Sequence, residues 1–90
     1  MSVKVRLHQY FQDMAQGQEV VAAEGKNVKE LIDDLEAKYP GMKEHLVDKR
    51  GRLQGFVEFF VNAEIVYPES TAMPIKDGDE IEILMIVAGG

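Results

Sequence analysis

The sequence predicts an α+β fold: a mixed sheet of four to five strands with one main helix packed on one face. Three observations carry this reading. Strand-like, period-two patterning stands at both ends of the chain, at Val3, Val5 and Leu7 and again over Glu80 to Val87. One long amphipathic helix lies between them, with Val28, Leu31, Ile32, Leu35 and Tyr39 on a single stripe. Finally, 90 residues that are 46% hydrophobic make one small core, so residues 1–90 are read as a single domain.

Taken in order, Val3, Val5 and Leu7 alternate with Lys4, Arg6 and His8, the pattern of a half-buried strand. A polar stretch with a turn at Gly17 leads to a second β-rich run, Glu19 to Ala23, giving an opening hairpin with a long loop. Asn27 is a good helix N-cap, and Glu30 stands where a capping-box acid reaches back toward it. Pro40-Gly41 ends the helix. Met42 to Val47 forms a short helical turn, and Asp48 to Gly51 a loop. Val57 to Val61 is strongly β-prone, breaks at Asn62-Ala63-Glu64, and resumes as Ile65-Val66-Tyr67. Lys76-Asp77-Gly78-Asp79 is a turn before the last strand. With a single helix and strands at both ends, the terminal strands lie most simply side by side, parallel, at the sheet centre. That is the β-grasp, or ubiquitin-like, arrangement.

The faces of the sheet follow from the cost of burying charge. Glu80 and Glu82 must face water, which turns Ile81 and Ile83 toward the helix and sends Leu84 and Ile86 to the opposite face. Glu58 likewise marks the wet side of its strand, placing Phe59 inside and Phe60 outside. An open face carrying Phe60, Leu84 and Ile86, with His8 and Ile65 nearby, is therefore expected to be a partner-docking surface. Lys4 and Arg6 lie on the same wet face, with Glu58 and Glu82 as their expected ion-pair partners.

Composition narrows the function classes. Sixteen acidic against ten basic residues give a net charge of −6, so no nucleic-acid partner is expected. No apolar run is long enough to span a membrane, no signal-peptide pattern is visible, and the chain reads as cytoplasmic. The chain has no cysteine, which removes thiol nucleophiles, disulfides and cysteine-held metals. His8 and His45 sit on different elements without ligand spacing, so no metal site is expected. Asp77 and Asp79 read as turn chemistry, and Lys49, Arg50 and Arg52 as a solvated loop. With no catalytic constellation, the chain is read as a non-enzyme.

The segment Val87-Ala88-Gly89-Gly90 points elsewhere. Two glycines are thin enough to thread a channel too narrow for any Cβ and to deliver an α-carboxylate to another protein's active site. Together with Val3-Lys4-Val5-Arg6-Leu7, Leu35-Glu36-Ala37-Lys38-Tyr39-Pro40-Gly41, Phe59-Phe60-Val61-Asn62 and Ile75-Lys76-Asp77-Gly78-Asp79-Glu80-Ile81, this tail resembles the ubiquitin-like sulfur carriers of the MoaD/ThiS family. The resemblance implies that an E1-like enzyme uses ATP to adenylate the Gly90 carboxylate, which then becomes a thiocarboxylate. It implies Val87, Ala88 and Gly89 as the threading segment, no bound cofactor, and a free monomer. A sulfur-accepting biosynthetic enzyme and a tail-processing metallopeptidase are the further partners it implies.

Met42 to Gly55 and the run from Phe59 to Val66 resemble the longer carriers that serve cysteine or methionine synthesis. A molybdopterin synthase small subunit, or a protein modifier joined through Gly90, are the alternatives. Many relatives carry proline just before the tail, where this chain has Met85-Ile86. Proline stops ladder pairing, so the last strand is expected to run closer to the tail here.

Overall fold

A computed structural model of the chain describes residues 2–86. Alternating burial defines strand β1, Val3–Leu7, whose Val3, Val5 and Leu7 are buried while Lys4 and Arg6 are exposed. The loop after it is more ordered than its polarity implies. A one-turn helix α1, Gln9–Gln12, and a 310 turn, Asp13–Ala15, seat Phe11 and Ala15 in the core. Gln16 and Gly17 then reverse the chain in left-handed conformations. Strand β2, Val20–Ala23, returns antiparallel to β1.

Helix α2, Val28–Lys38, begins at Asn27, whose side chain accepts the Glu30 N–H at 2.8 Å. Glu30 reaches back one residue further than a standard capping box: its carboxylate accepts the Lys26 N–H at 2.9 Å. Val28, Leu31, Ile32 and Leu35 are buried as the periodicity requires, each contributing about 1.5–3 kcal/mol of apolar transfer. Tyr39, at the C-cap, is half-buried against the same core. Gly25 sits so close to the helix that a Cβ there would meet the Leu31 nitrogen at 2.5 Å.

Pro40-Gly41 turns the chain into helix α3, Met42–Leu46. The Glu36 carboxylate secures this corner by accepting the N–H groups of Lys43 and Gly41, which hold it below the usual carboxylate range. Asp48 secures the next turn: the Arg52 and Arg50 N–H groups lower its pKa too. Burial works against ionisation of Asp34, yet the Glu24 N–H and the Lys38 ammonium outweigh it and leave its pKa lowered.

Strands β3, Val57–Val61, and β4, Glu64–Val66, form a hairpin closed by Asn62 and Ala63, both at positive φ. The turn before strand β5, Glu80–Met85, is built by Asp79, which accepts the Lys76 N–H at 2.8 Å and the Asn62 side-chain amide at 3.0 Å. Both bonds hold Asp79 below the usual carboxylate range. Asp77 lies in the same turn, and no group of three or more metal-ligating side chains occurs among the described residues.

The sheet order is β2-β1-β5-β3-β4. The first and last strands are parallel neighbours at its centre, with Val5 opposite Ile81 and Leu7 opposite Ile83. Strand β5 pairs antiparallel with β3 without a bulge, from Val61–Ile81 to Val57–Met85. The expected strand over Glu80 to Val87 therefore ends at Met85, though the Ile86 N–H still donates to the Phe56 carbonyl at 2.7 Å. A proline at that position would have no such donor. Val87 lies outside the described residues.

Candidate functional site: the open sheet face and the end of the last strand

The unbroken β3–β5 register settles the faces. Ile81, Ile83 and Phe59 enter the core, while Leu84, Phe60 and Glu58 share the opposite face. Phe60 is half-buried there and stands opposite Ile65, which is 45% exposed. The strand partners trace one row across this face: Val20, Arg6, Glu82, Phe60 and Ile65. One step along, Leu84 stands opposite Glu58. The apolar residues are thus not one unbroken patch. Glu82 and Glu58 alternate with them in a chequered pattern, with Phe60 and Leu84 diagonal to each other and still within reach of one partner side chain.

The electrostatics differ from the pairing expected of this face. Arg6 forms its ion pair with Glu19, at the mouth of β2, rather than with Glu58 or Glu82. The register explains it: Arg6 stands opposite Val20, so Glu19, the residue just before β2, lies within guanidinium reach. Among the described residues Glu58 and Glu82 have no ion-pair partner, nor has Lys4. The face therefore presents hydrophobic side chains interleaved with carboxylates that have no ion-pair partner among the described residues, a surface suited to basic and apolar groups together.

Because β1 and β5 are parallel, their carboxyl ends emerge at the same rim of the sheet. His8 stands there, half-buried; its N–H donates to the Ile83 carbonyl at 2.9 Å and its Nδ1 accepts the Tyr10 N–H at 3.0 Å. His8 is thus the N-cap of α1 as well as a rim residue. Ile86, 46% exposed, follows β5 at this rim, and Phe56, 40% exposed, is bonded to it through the backbone. Tyr10, 42% exposed, packs edge-on against Phe11 and places its hydroxyl 3.0 Å from Nδ1 of His45.

Neither Tyr10 nor Phe56 is singled out by sequence patterning, because one lies in a one-turn helix and the other precedes its strand by one residue. The only hint is an aromatic pair at Tyr10-Phe11, inside an otherwise polar stretch. Of the five expected docking residues, Phe60, Leu84 and Ile65 share the open face, while Ile86 and His8 stand at its rim. Val87, Ala88, Gly89 and Gly90, the expected threading and attachment residues, lie outside the described residues.

A central parallel pair of terminal strands, a helix across one face and an open opposite face define a ubiquitin-like β-grasp protein. The chain belongs to the ThiS family, whose sequence profile matches residues 5–90. It is 40% identical over 93 residues to the sulfur carrier protein CysO of Mycobacterium tuberculosis, with all of both chains covered. The crystal structure of that CysO superposes with a TM-score of 0.88 at 38% identity, covering 94% of this chain and 99% of that one. In the Amycolatopsis orientalis BexX/CysO complex, a chain 36% identical superposes with a TM-score of 0.89, covering 98% of this chain and 99% of that one. A chain of the Helicobacter pylori complex of molybdopterin-converting factor subunits 1 and 2 matches less closely. Its TM-score is 0.64 at 29% identity, with both chains fully covered.

Proposed function

We propose that this chain is a sulfur carrier, one 1–90 unit that acts as co-substrate of partner enzymes rather than as an enzyme. The observation that carries the reading is its full-length similarity to a protein named as a sulfur carrier. The Gly90 carboxylate attacks the α-phosphate of ATP held by an E1-like enzyme, releasing pyrophosphate and leaving an acyl adenylate. A sulfide-equivalent nucleophile then attacks the acyl carbon and expels AMP, giving a thiocarboxylate. Val87, Ala88 and Gly89 thread the reacting end into the partner's site, so the carrier itself binds no cofactor.

Phe60, Leu84 and Ile65 form the docking face, with Ile86 and His8 orienting the rim from which the tail departs. The thiocarboxylate gives its sulfur to a biosynthetic enzyme of cysteine or methionine formation, and a metallopeptidase clears any amino-acid adduct. In this reading the carrier acts in the cytoplasm as a free monomer. Within the described residues no helix is long and apolar enough to cross a membrane. The Helicobacter match favours a second reading, the small subunit of molybdopterin synthase, but its TM-score of 0.64 is well below the 0.88 for CysO. Conjugation to proteins through Gly90 is the other use the same chemistry allows.

Intact mass spectrometry of the protein from its own cells tests the reading. The expected result is a fraction carrying sulfur in place of one carboxylate oxygen, and an amino-acid adduct there identifies the acceptor pathway. Full biosynthetic function in a chain shortened to end at Ala88 would overturn the proposal.

A further inference from the structure

On the helical side of the molecule, away from the open sheet face, three segments line an open cavity of about 160 Å³. Its floor is apolar, made by Ile32 of α2 and the half-buried Val47 after α3. Its walls are cationic. Asp33 grips both lysines of one wall, accepting Lys29 Nζ at 3.1 Å and Lys43 Nζ at 2.7 Å. That arrangement holds the two ammonium groups beside one carboxylate, and the Lys43 hydrogen bond is the main reason the Asp33 pKa is lowered.

Arg50 lines another wall. Its backbone is fixed by the Asp48 carboxylate at 2.8 Å, and it sits next to Gly51, whose φ of +81° makes the turn possible. Thr71 completes the rim, tied to α2 because its carbonyl accepts the Lys29 N–H at 2.9 Å.

Three cations thus face one carboxylate in a chain whose overall charge is −6. Acids are plentiful, yet the Arg50 side chain has no ion-pair partner among the described residues. Grouping like charges costs free energy unless a counter-charge joins them. An oxyanion placed among Lys29, Lys43 and Arg50 would supply it, with Thr71 as a hydroxyl donor and Arg50 as the planar fork that suits carboxylate and phosphate. The floor offers no polar partner, so the fitting ligand carries a short apolar body behind its charged group.

We propose that this cavity is a binding site for a small organic oxyanion, a phosphate or carboxylate, independent of the tail chemistry.

The test is titration of the 15N-labelled full chain with phenyl phosphate and, separately, inorganic phosphate, at constant ionic strength held with sodium chloride. Saturable amide shifts confined to Lys29, Arg50, Gly51 and Thr71 are expected. Phenyl phosphate should bind at least about threefold more tightly than inorganic phosphate, because only its ring covers the apolar floor. Arg50→Ala, a change in an exposed turn, should weaken binding at least about fivefold with an unchanged spectrum elsewhere. Acetylated glutamate as a third probe separates the two ligand chemistries: binding comparable to phenyl phosphate favours a carboxylate, and none favours a phosphate. Shifts that rise linearly without saturation, or that affect Lys49 and Arg52 equally, are ionic screening alone and overturn the proposal. So does unaltered binding in Arg50→Ala.

Discussion

Phe59 and Phe60 are chemically identical neighbours on β3, and the structure places them on opposite faces of the sheet. Phe59 is fully buried, at 0% exposure, in the single core cluster that also holds Leu31 and Leu35 of α2. Truncating it to alanine removes a ring from a close-packed core and leaves a cavity, at a cost of about 3–5 kcal/mol. A domain of this length holds on the order of 5–13 kcal/mol in all, so Phe59→Ala should consume about a quarter of its stability or more. Phe60 is half-buried on the open face, with Glu82 and Ile65 as its strand partners. Since full burial of such a side chain is worth about 1.5–3 kcal/mol, Phe60→Ala should cost only about 1 kcal/mol.

Urea unfolding followed by far-UV circular dichroism measures both variants at an unchanged slope. Binding to the adenylating enzyme proposed above measures the second property. There Phe60→Ala should lose about tenfold in affinity, the scale of an interface anchor, while folded Phe59→Ala should bind nearly as the parent does. Costs within about 0.5 kcal/mol of each other would refute the register from which the faces are assigned. Full affinity in Phe60→Ala would refute the docking role of the open face.

Two further perturbations probe other parts of the structure. Gly25→Ala should destabilise by more than about 2 kcal/mol, because the added methyl collides with the backbone of α2 at Leu31; a melting temperature equal to the parent's would contradict the close approach. Acid should weaken the fold through Asp33, Asp34, Glu36, Asp48 and Asp79, all held below their ordinary values. In that case the unfolded chain binds more protons than the folded one. The stabilisation is complete above the ordinary carboxylate range and is lost as pH falls through it, from about 5 toward 3. The urea midpoint should drop over that window, and less steeply in Glu36→Gln; a flat profile would mean these bonds do not form in solution.

The elements that periodicity reveals are those whose burial alternates or repeats over several residues. β1, β5 and the stripe on α2 are legible because a misplaced residue there would bury a lysine or glutamate. The alternation at Glu58 and Glu82 likewise suffices to place Phe60 and Leu84. What patterning misses is short or depends on distant strands. Helix α1 spans only Gln9–Gln12 and buries a single side chain, Phe11, too little for a 3.6-residue period to register. Glu19 becomes the partner of Arg6 only once the β1–β2 register is known. The cavity between Lys29 and Arg50 joins residues of a helix and a distant turn, and the basic loop looks merely solvated when read along the chain.

The parallel pairing of β1 with β5 also has a mechanical consequence. The start of β1 and the end of β5 lie at opposite rims of the sheet, so tension applied between them drags the two strands past each other lengthwise. Their hydrogen bonds then share the load and must fail together, instead of opening one by one as in a hairpin pulled from its open end. Strand β5 is gripped on its other side by β3 as well. Tension along β5 is therefore borne by ladders on both of its sides, which resist sliding together.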